Sequence, residues 1–207
     1  MNETVSEFGT RNDRRRSGKI RAILAGGLVF GVGAAFTLAV WNDSEFATGT
    51  FTAGSFNMQG STDGTTYTDH ASIGAAATLP FTAPVTALSP GDVVYAPFAV
   101  RLDATTTNNA TVTVSNAATT GTVTNLTYTL IQPSSFGCAS GTTGTTLVAA
   151  GTAVSSVPGS PTFSLTMGTP PTTPGAPAFL CFKVTAGAGL AQAQSGTVTW
   201  QFNAAST

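Results

Sequence analysis

Histidine and charged side chains are scarce in this sequence, and their scarcity restricts the chemistry available to the protein. Only 8% of the 207 residues are Asp, Glu, Lys or Arg, against about 25% in a typical soluble domain. Because His70 is the only histidine, zinc sites built from several histidines are excluded, and any Ser–His–Asp triad would depend on that residue. The candidate carboxylate pairs, Asp63 with Asp69 and Asp92 with Asp103, lack glycosidase or calcium-loop context. We therefore predict no enzymatic activity, no metal and no cofactor.

Basic residues are nearly absent after the first forty positions. Residues 1–40 hold six of the eight basic side chains, and the remainder has only Arg101 and Lys183 beside six acidic residues. Two cations cannot neutralise a run of phosphates. We therefore predict that the body of the chain does not bind nucleic acid.

The basic cluster precedes a long uncharged stretch, which is the order found in a signal peptide. Residues 1–21 form the basic part and residues 22–40 carry no charge, so the positive side is expected to stay in the cytoplasm. We predict that residues 1–40 are a cleaved signal peptide and that the protein is secreted to the cell surface, contacting the membrane only before cleavage. A stretch of this length could also be retained as a membrane anchor, but its four glycines reduce helix stability.

Three short motifs resemble those of one bacterial family. Residues 37–43 read T-x-A-x-aromatic-x-D, Phe51–Met58 follow, and Leu88–Asp92 read L-x-P-G-D. Together they resemble the TasA/camelysin family, whose members are exported with the dedicated signal peptidase SipW. The likeness is specific over residues 34–58. The Thr-rich, Lys-poor body and the cysteine pair are more similar to actinobacterial relatives than to Bacillus members.

The resemblance has consequences for processing and for fold. It implies cleavage just before the aromatic Trp41, whereas the A-x-A rule ending at Ala39 favours a cut before Val40. It also implies a jelly-roll sandwich and a SipW-like peptidase as processing partner. Some camelysin relatives are described as metallopeptidases, but this chain has no H-E-x-x-H motif and no second histidine.

The only two cysteines, Cys138 and Cys181, lie in the part predicted to be exported. In an oxidising compartment two cysteines most simply pair with each other, and their spacing excludes a CxxC redox motif. We predict a disulfide between them, with two buried free thiols as the alternative.

Apolar and polar residues alternate through the body of the chain, and turn residues separate the alternating runs. These runs lie at residues 56–58, 94–102, 110–114, 126–130, 163–167 and 198–202. Residues 179–184 are apolar on both faces apart from Lys183, which predicts a central strand. The pattern predicts an all-β domain over residues 59–207, a two-sheet antiparallel sandwich of eight to ten short strands. It does not distinguish a jelly roll from an immunoglobulin-like topology.

Residues 41–58 form an N-terminal extended segment that contains Trp41, Phe46, Phe51 and Phe56. Relatives build fibres by passing this strand to the next subunit. The resemblance therefore implies a structural subunit of an extracellular fibre or biofilm-type matrix, whose partner is the chain itself. Two alternatives stay open. The segment could be the first strand of its own domain, and the protein could be a monomeric or wall-associated surface binding module.

The processing hypothesis predicts that secreted material begins at Trp41 or at Val40. N-terminal sequencing of protein from the culture medium measures this directly. A membrane-bound form that begins at Met1 would contradict cleavage and support the retained anchor.

Overall fold

The structure is a computed structural model that describes residues 18–24 and 43–207. Residues 18–24 are helical, and among the described residues no helix is both long enough and apolar enough to cross a membrane. The chain divides into two compact units, Met1–Phe51 and Thr52–Thr207. All the strands that the structure describes belong to the second unit.

The second unit consists of eight antiparallel strands in two sheets. The strands are β1 (Met58–Ser61), β2 (Val93–Leu102), β3 (Ala110–Gly121), β4 (Leu126–Gln132), β5 (Thr145–Ala153), β6 (Thr162–Leu165), β7 (Ala178–Ala186) and β8 (Gly196–Ser206). One sheet has the order β1-β2-β7-β4-β5 and the other the order β6-β3-β8. This arrangement confirms the predicted all-β, two-sheet antiparallel sandwich.

The strand order is that of a jelly roll with one strand displaced. A closed eight-stranded jelly roll pairs its first strand with its last, giving the order β1-β8-β3-β6 opposite β2-β7-β4-β5. Here β7, β4 and β5 follow β2 as expected, but β1 pairs with β2 in the larger sheet. As a result β8 pairs with β3 on one side and with no described strand on the other.

The core lies between the sheets and is built from alternate residues of each strand, as the period of two requires. Phe182 of β7 is fully buried at its centre. Its ring centroid lies 4.7 Å from that of Trp200 on β8, and the centroids of Phe98 and Phe202 are 5.6 Å apart. These aromatic contacts join the two sheets.

Most predicted strands coincide with observed ones, and β7 is central, between β2 and β4. The sequence analysis missed β5, because its small residues do not alternate and Val148 is its only fully buried side chain. A single 3₁₀ turn, Ile73–Ala75, interrupts the loop before β2. The sandwich begins with β1 at Met58, which the sequence analysis placed at the end of the N-terminal segment.

Loops cover the outer face of the larger sheet. The predicted disulfide is confirmed: Cys138 in the loop after β4 is bonded to Cys181 of β7, with a Cα–Cα distance of 5.0 Å. Beside it the rings of Phe136 and Phe179 meet edge to face at 6.1 Å. Gly64 has φ +76° and lies against the Phe136 ring, where a Cβ would come within 2.6 Å of the ring. This position therefore requires glycine for both conformation and space.

Removal of the disulfide should destabilise the sandwich without changing its fold. The bond joins residues 43 positions apart, so Cys138→Ala should lower the free energy of unfolding by about 2–4 kcal/mol, mainly because the unfolded chain becomes less constrained. Chemical unfolding of the variant, with Cys138→Ala/Cys181→Ala as control, measures the loss. Equal stability of wild type and variant without reductant would contradict the prediction.

Candidate functional site

The four sheet edges differ sharply in how they are protected. The edge of β1 is covered, because the amide of Gly60 donates to the carbonyl of Thr68 and the amide of Thr68 donates back, at 2.9 and 3.0 Å. Strand β6 is only four residues long, and β5 itself holds the extra residues where its pairing with β4 shifts register. The register shift in the pairing of β8 places its extra residue on β3, not on β8. Strand β8 has eleven residues, no proline and no charged residue. An exposed edge of this kind can accept another strand.

The direction of the β8 backbone groups follows from its pairing with β3. The amide of Thr207 donates to Asn109 at 3.0 Å. Counting back in twos, the amides of Ala205, Asn203 and Gln201 therefore point toward β3, and the intervening ones point toward the open edge. In the register, Ala204 lies opposite Val112. Its amide and carbonyl are thus available to a strand from outside.

A groove of about 980 Å³ with mixed polar and apolar walls runs beside this edge. We define the groove by its walls, which are β8 on one side and β1 with residues 69–88 on the other. Its floor consists of core side chains of β2 and β7, which include Phe98 and Phe182. The groove is therefore the opening between the two sheets, at the place where a closed jelly roll has its first strand.

The chemistry of the groove suits an apolar peptide better than a charged ligand. On β8 the inward side chains Val198, Trp200 and Phe202 pack against the core but stay only partly buried. Asp69 and His70 are the only titratable side chains in the lining. No group of three metal-ligating side chains occurs in the described ranges 18–24 and 43–207.

The segment before β1 combines exposed aromatic rings with an absence of regular structure. Residues 43–54, which we call the tail, belong to no strand. The side chains of Phe46 and Phe51 are 94% and 96% exposed, while that of Phe56 is 40% exposed. The tail contains no proline and no basic residue. Two fully exposed phenylalanines in one short segment suggest a surface that is buried on association.

The root of the tail, residues 55–57, is fixed by hydrogen bonds to the loop after β2. The amide of Asn57 donates to the hydroxyl of the buried Thr106 at 2.9 Å. The amide of Thr107 donates to the carbonyl of Ser55 at 3.0 Å. The side-chain amide of Asn57 donates to Asp103 at 3.1 Å. The chain before β1 is therefore attached to the sandwich at residues 55–57, and Asn57 also borders the groove.

The Asp103 carboxylate is the centre of this root. Burial alone would raise the pKa of Asp103, but hydrogen bonds from Asn57, Thr106 and Thr105 outweigh burial and hold the pKa below its ordinary value of 3.8. The carboxylate lies 2.9 Å from the backbone amides of both Thr105 and Thr106. Because the ionised form is the one that accepts these bonds, the root is held by charge-assisted hydrogen bonds.

The other polar candidates from the sequence have local structural roles. Asp63 accepts hydrogen bonds from the backbone amides of Thr66 and Thr65, which hold its pKa well below 3.8. Asp92 accepts the amide of Ser89 at 2.7 Å, which closes the turn before β2. These contacts complete turns in the manner common for aspartate.

Asp69 and His70 line the groove, and each contacts other neighbouring groups. Asp69 accepts a hydrogen bond from the side-chain amide of Asn57 at 3.0 Å. The ring nitrogens of His70 lie 3.2 Å from the carbonyl of Ala75 and 3.3 Å from the hydroxyl of Thr68.

Part of the predicted site falls outside the described residues, namely the cleavage positions Ala39 and Val40 together with Trp41. Phe46, Phe51 and Phe56 lie within the described residues. The open edge of β8 was missed by sequence reasoning, because alternation shows which face of a strand is buried and not which strand lies beside it.

Comparison with protein-family models and with curated proteins found no match.

Replacement of Asp103 by alanine should loosen the root of the tail. At neutral pH we expect a loss of about 1–3 kcal/mol in the free energy of unfolding, since Asn57 and Thr106 lose a charged acceptor. Folding lowers the pKa of Asp103. The stabilisation by its ionised carboxylate is therefore complete at pH values above the pKa of Asp103 in the unfolded chain, and it disappears as the pH falls through the pKa in the folded chain. The difference between wild type and Asp103→Ala should therefore shrink in acid.

Chemical unfolding at neutral pH and at about pH 3, below the ordinary aspartate pKa, measures this difference. Asp43→Ala, which removes one carboxylate from the tail, is the control for net charge. A loss that is the same at both pH values would show that the ionised carboxylate is not what holds the root.

Proposed function

We propose that the protein is a secreted structural subunit of an extracellular fibre or biofilm-type matrix. In this proposal the tail of one copy adds as a strand to β8 of the next copy and covers its groove. The observation that carries the proposal is the eleven-residue β8 edge, which has no described neighbour on its open side and lies beside a groove with an apolar floor.

The contrast among the edges supports strand addition at β8. Soluble β proteins protect their edges with short strands, bulges, charges or covering loops. The other three edges have such protection, but β8 combines length with partly buried apolar side chains and has no charged residue to repel another strand.

The tail has the properties of a donor strand. It is twelve residues long, contains no proline and is rich in threonine, which suits an extended conformation. Backbone hydrogen bonds to β8 would supply affinity, and alternate side chains would supply specificity. Because donor and acceptor are different surfaces of the same chain, the contact is head to tail, and repetition gives a filament where the rotation does not close.

The disulfide and the N-terminal sequence support export. A disulfide is typical of proteins that fold in an oxidising compartment, and Cys138 and Cys181 are bonded. The proposal includes cleavage of residues 1–40 by a SipW-like signal peptidase, a new N-terminus at Trp41 shortly before the tail, and localisation at the cell surface. It assigns no enzymatic activity, no cofactor and no nucleic-acid partner.

A pair of complementary variants tests strand donation. Deletion of residues 41–53 removes the donor and leaves the acceptor edge. Ala204→Pro removes one outward amide of β8, which an edge strand tolerates because that amide is not bonded to β3. We expect fibres from the unchanged mature protein, monomers from each variant alone, and a one-to-one dimer when the two variants are mixed.

Negative-stain microscopy detects fibres, and size-exclusion chromatography with light scattering gives the mass of the mixed species. If the deletion variant polymerises as well as wild type, assembly occurs through another contact. If wild type stays monomeric at high concentration and mildly acidic pH, the fibre is refuted and the surface binding module is favoured.

A further inference from the structure

The two faces of the tail differ in chemistry, so only one of them suits the groove. On a regular strand the side chains of alternate residues share a face. One face has small apolar residues and a single ring, namely Ala47, Gly49, Phe51 and Ala53. The other has a ring and three hydroxyls, namely Phe46, Thr48, Thr50 and Thr52. A donor strand must point one face inward and the other toward solvent.

The outer surface of the smaller sheet indicates which face points outward. The outward residues of β8 are polar and uncharged, namely Thr197, Thr199, Gln201 and Asn203. Those of the neighbouring β3 include Thr111, Thr113 and Ser115, which alternate with buried residues. The three strands of this sheet contain no charged residue. A strand with Thr48, Thr50 and Thr52 outward would continue this hydroxyl surface, and threonine pairs favourably across strands.

The inner side of the groove indicates the same orientation. β8 points Val198, Trp200, Phe202 and Ala204 toward the core. The bulk of Trp200 and Phe202 restricts the space for large side chains on an adjacent strand. The face that carries Ala47, Gly49 and Ala53 fits beside them, with one ring to fill the remaining space.

The opposite orientation would place three threonine hydroxyls over the apolar floor formed by Phe98 and Phe182. A hydroxyl buried without a hydrogen-bond partner is destabilising. The acidic residues Asp43 and Glu45 share this inward face by the period of two, but they precede the stretch 47–53, which is itself uncharged. The inserted stretch therefore begins after Glu45.

We propose, resting on the proposed function, that Phe51 is the anchor side chain that enters the groove of the neighbouring copy, while Phe46 lies on the outer surface beside the threonines. The stretch 47–53 offers four inward positions, and the β8 stretch 198–204 offers four as well. Phe51 therefore determines specificity of assembly, although it is as exposed as Phe46 in the single chain, at 96% against 94%.

Phe51→Ser and Phe46→Ser are a matched pair, since each removes one fully exposed ring from the same tail. We expect Phe51→Ser to raise the concentration needed for assembly at least about tenfold, as loss of a buried aromatic anchor does. Phe46→Ser should change it less than about twofold, because an exposed contact contributes little. Light scattering over a dilution series of the full mature protein gives both values, and thermal unfolding checks that the sandwich is intact.

A second measurement reports burial directly. In Phe51→Trp the added tryptophan should become protected from acrylamide quenching when the mature protein assembles, whereas in Phe46→Trp it should stay accessible. Trp41 and Trp200 give the same background in both variants.

Equal effects of the two serine variants, or a larger effect of Phe46→Ser, would overturn the assignment of Phe51. So would protection at position 46 without protection at 51. Failure of unchanged protein to assemble, and of the donor and acceptor variants to form a dimer, would instead refute strand donation itself. The two failures are therefore distinguishable.

Discussion

The contact between Phe182 of β7 and Trp200 of β8, with ring centroids 4.7 Å apart, joins the two sheets at the side where the sandwich is open. It fixes the distance between the sheets at the side where no described strand closes the sandwich. Because Phe182 is fully buried and Trp200 only partly buried, the pair marks the boundary between the finished core and the groove. The apolar floor of the groove is thus the margin of the core itself, which is the basis for proposing a peptide strand as its occupant.

The displacement of β1 has a local physical cause. The inward position of β1 at Gly60 lies over the ring of Phe98, and a Cβ there would come within 2.7 Å of that ring. Glycine at this position allows β1 to pair with β2 beside the ring. The hydrogen bonds of residues 55–57 and those between Gly60 and Thr68 then hold β1 in the larger sheet. With β1 held in the larger sheet, the smaller sheet lacks the strand that would close the jelly roll, and β8 becomes its exposed edge.

The sequence predicted those parts of the structure that depend on local pattern. Alternation in residues 94–102 and 198–202 predicted β2 and β8, and the count of cysteines predicted the disulfide. Strand β5 was missed because an edge strand with one buried residue has no apolar period. The groove was not predictable, because it depends on which strands are neighbours. That order is determined by contacts between distant residues, such as Asn57 with Asp103 and Gly60 with Phe98.

The fixed root of the tail has a mechanical consequence. In a fibre of the proposed kind, tension passes from one subunit to the next through the tail and enters the sandwich at residues 55–57, where Asn57 and Ser55 are bonded to the loop after β2. A tail lying along β8 would be pulled parallel to the strand, so its backbone hydrogen bonds would share the force and would not open one after another. Force would then enter each subunit at the hydrogen bonds around Asp103 and leave it at the open edge of β8.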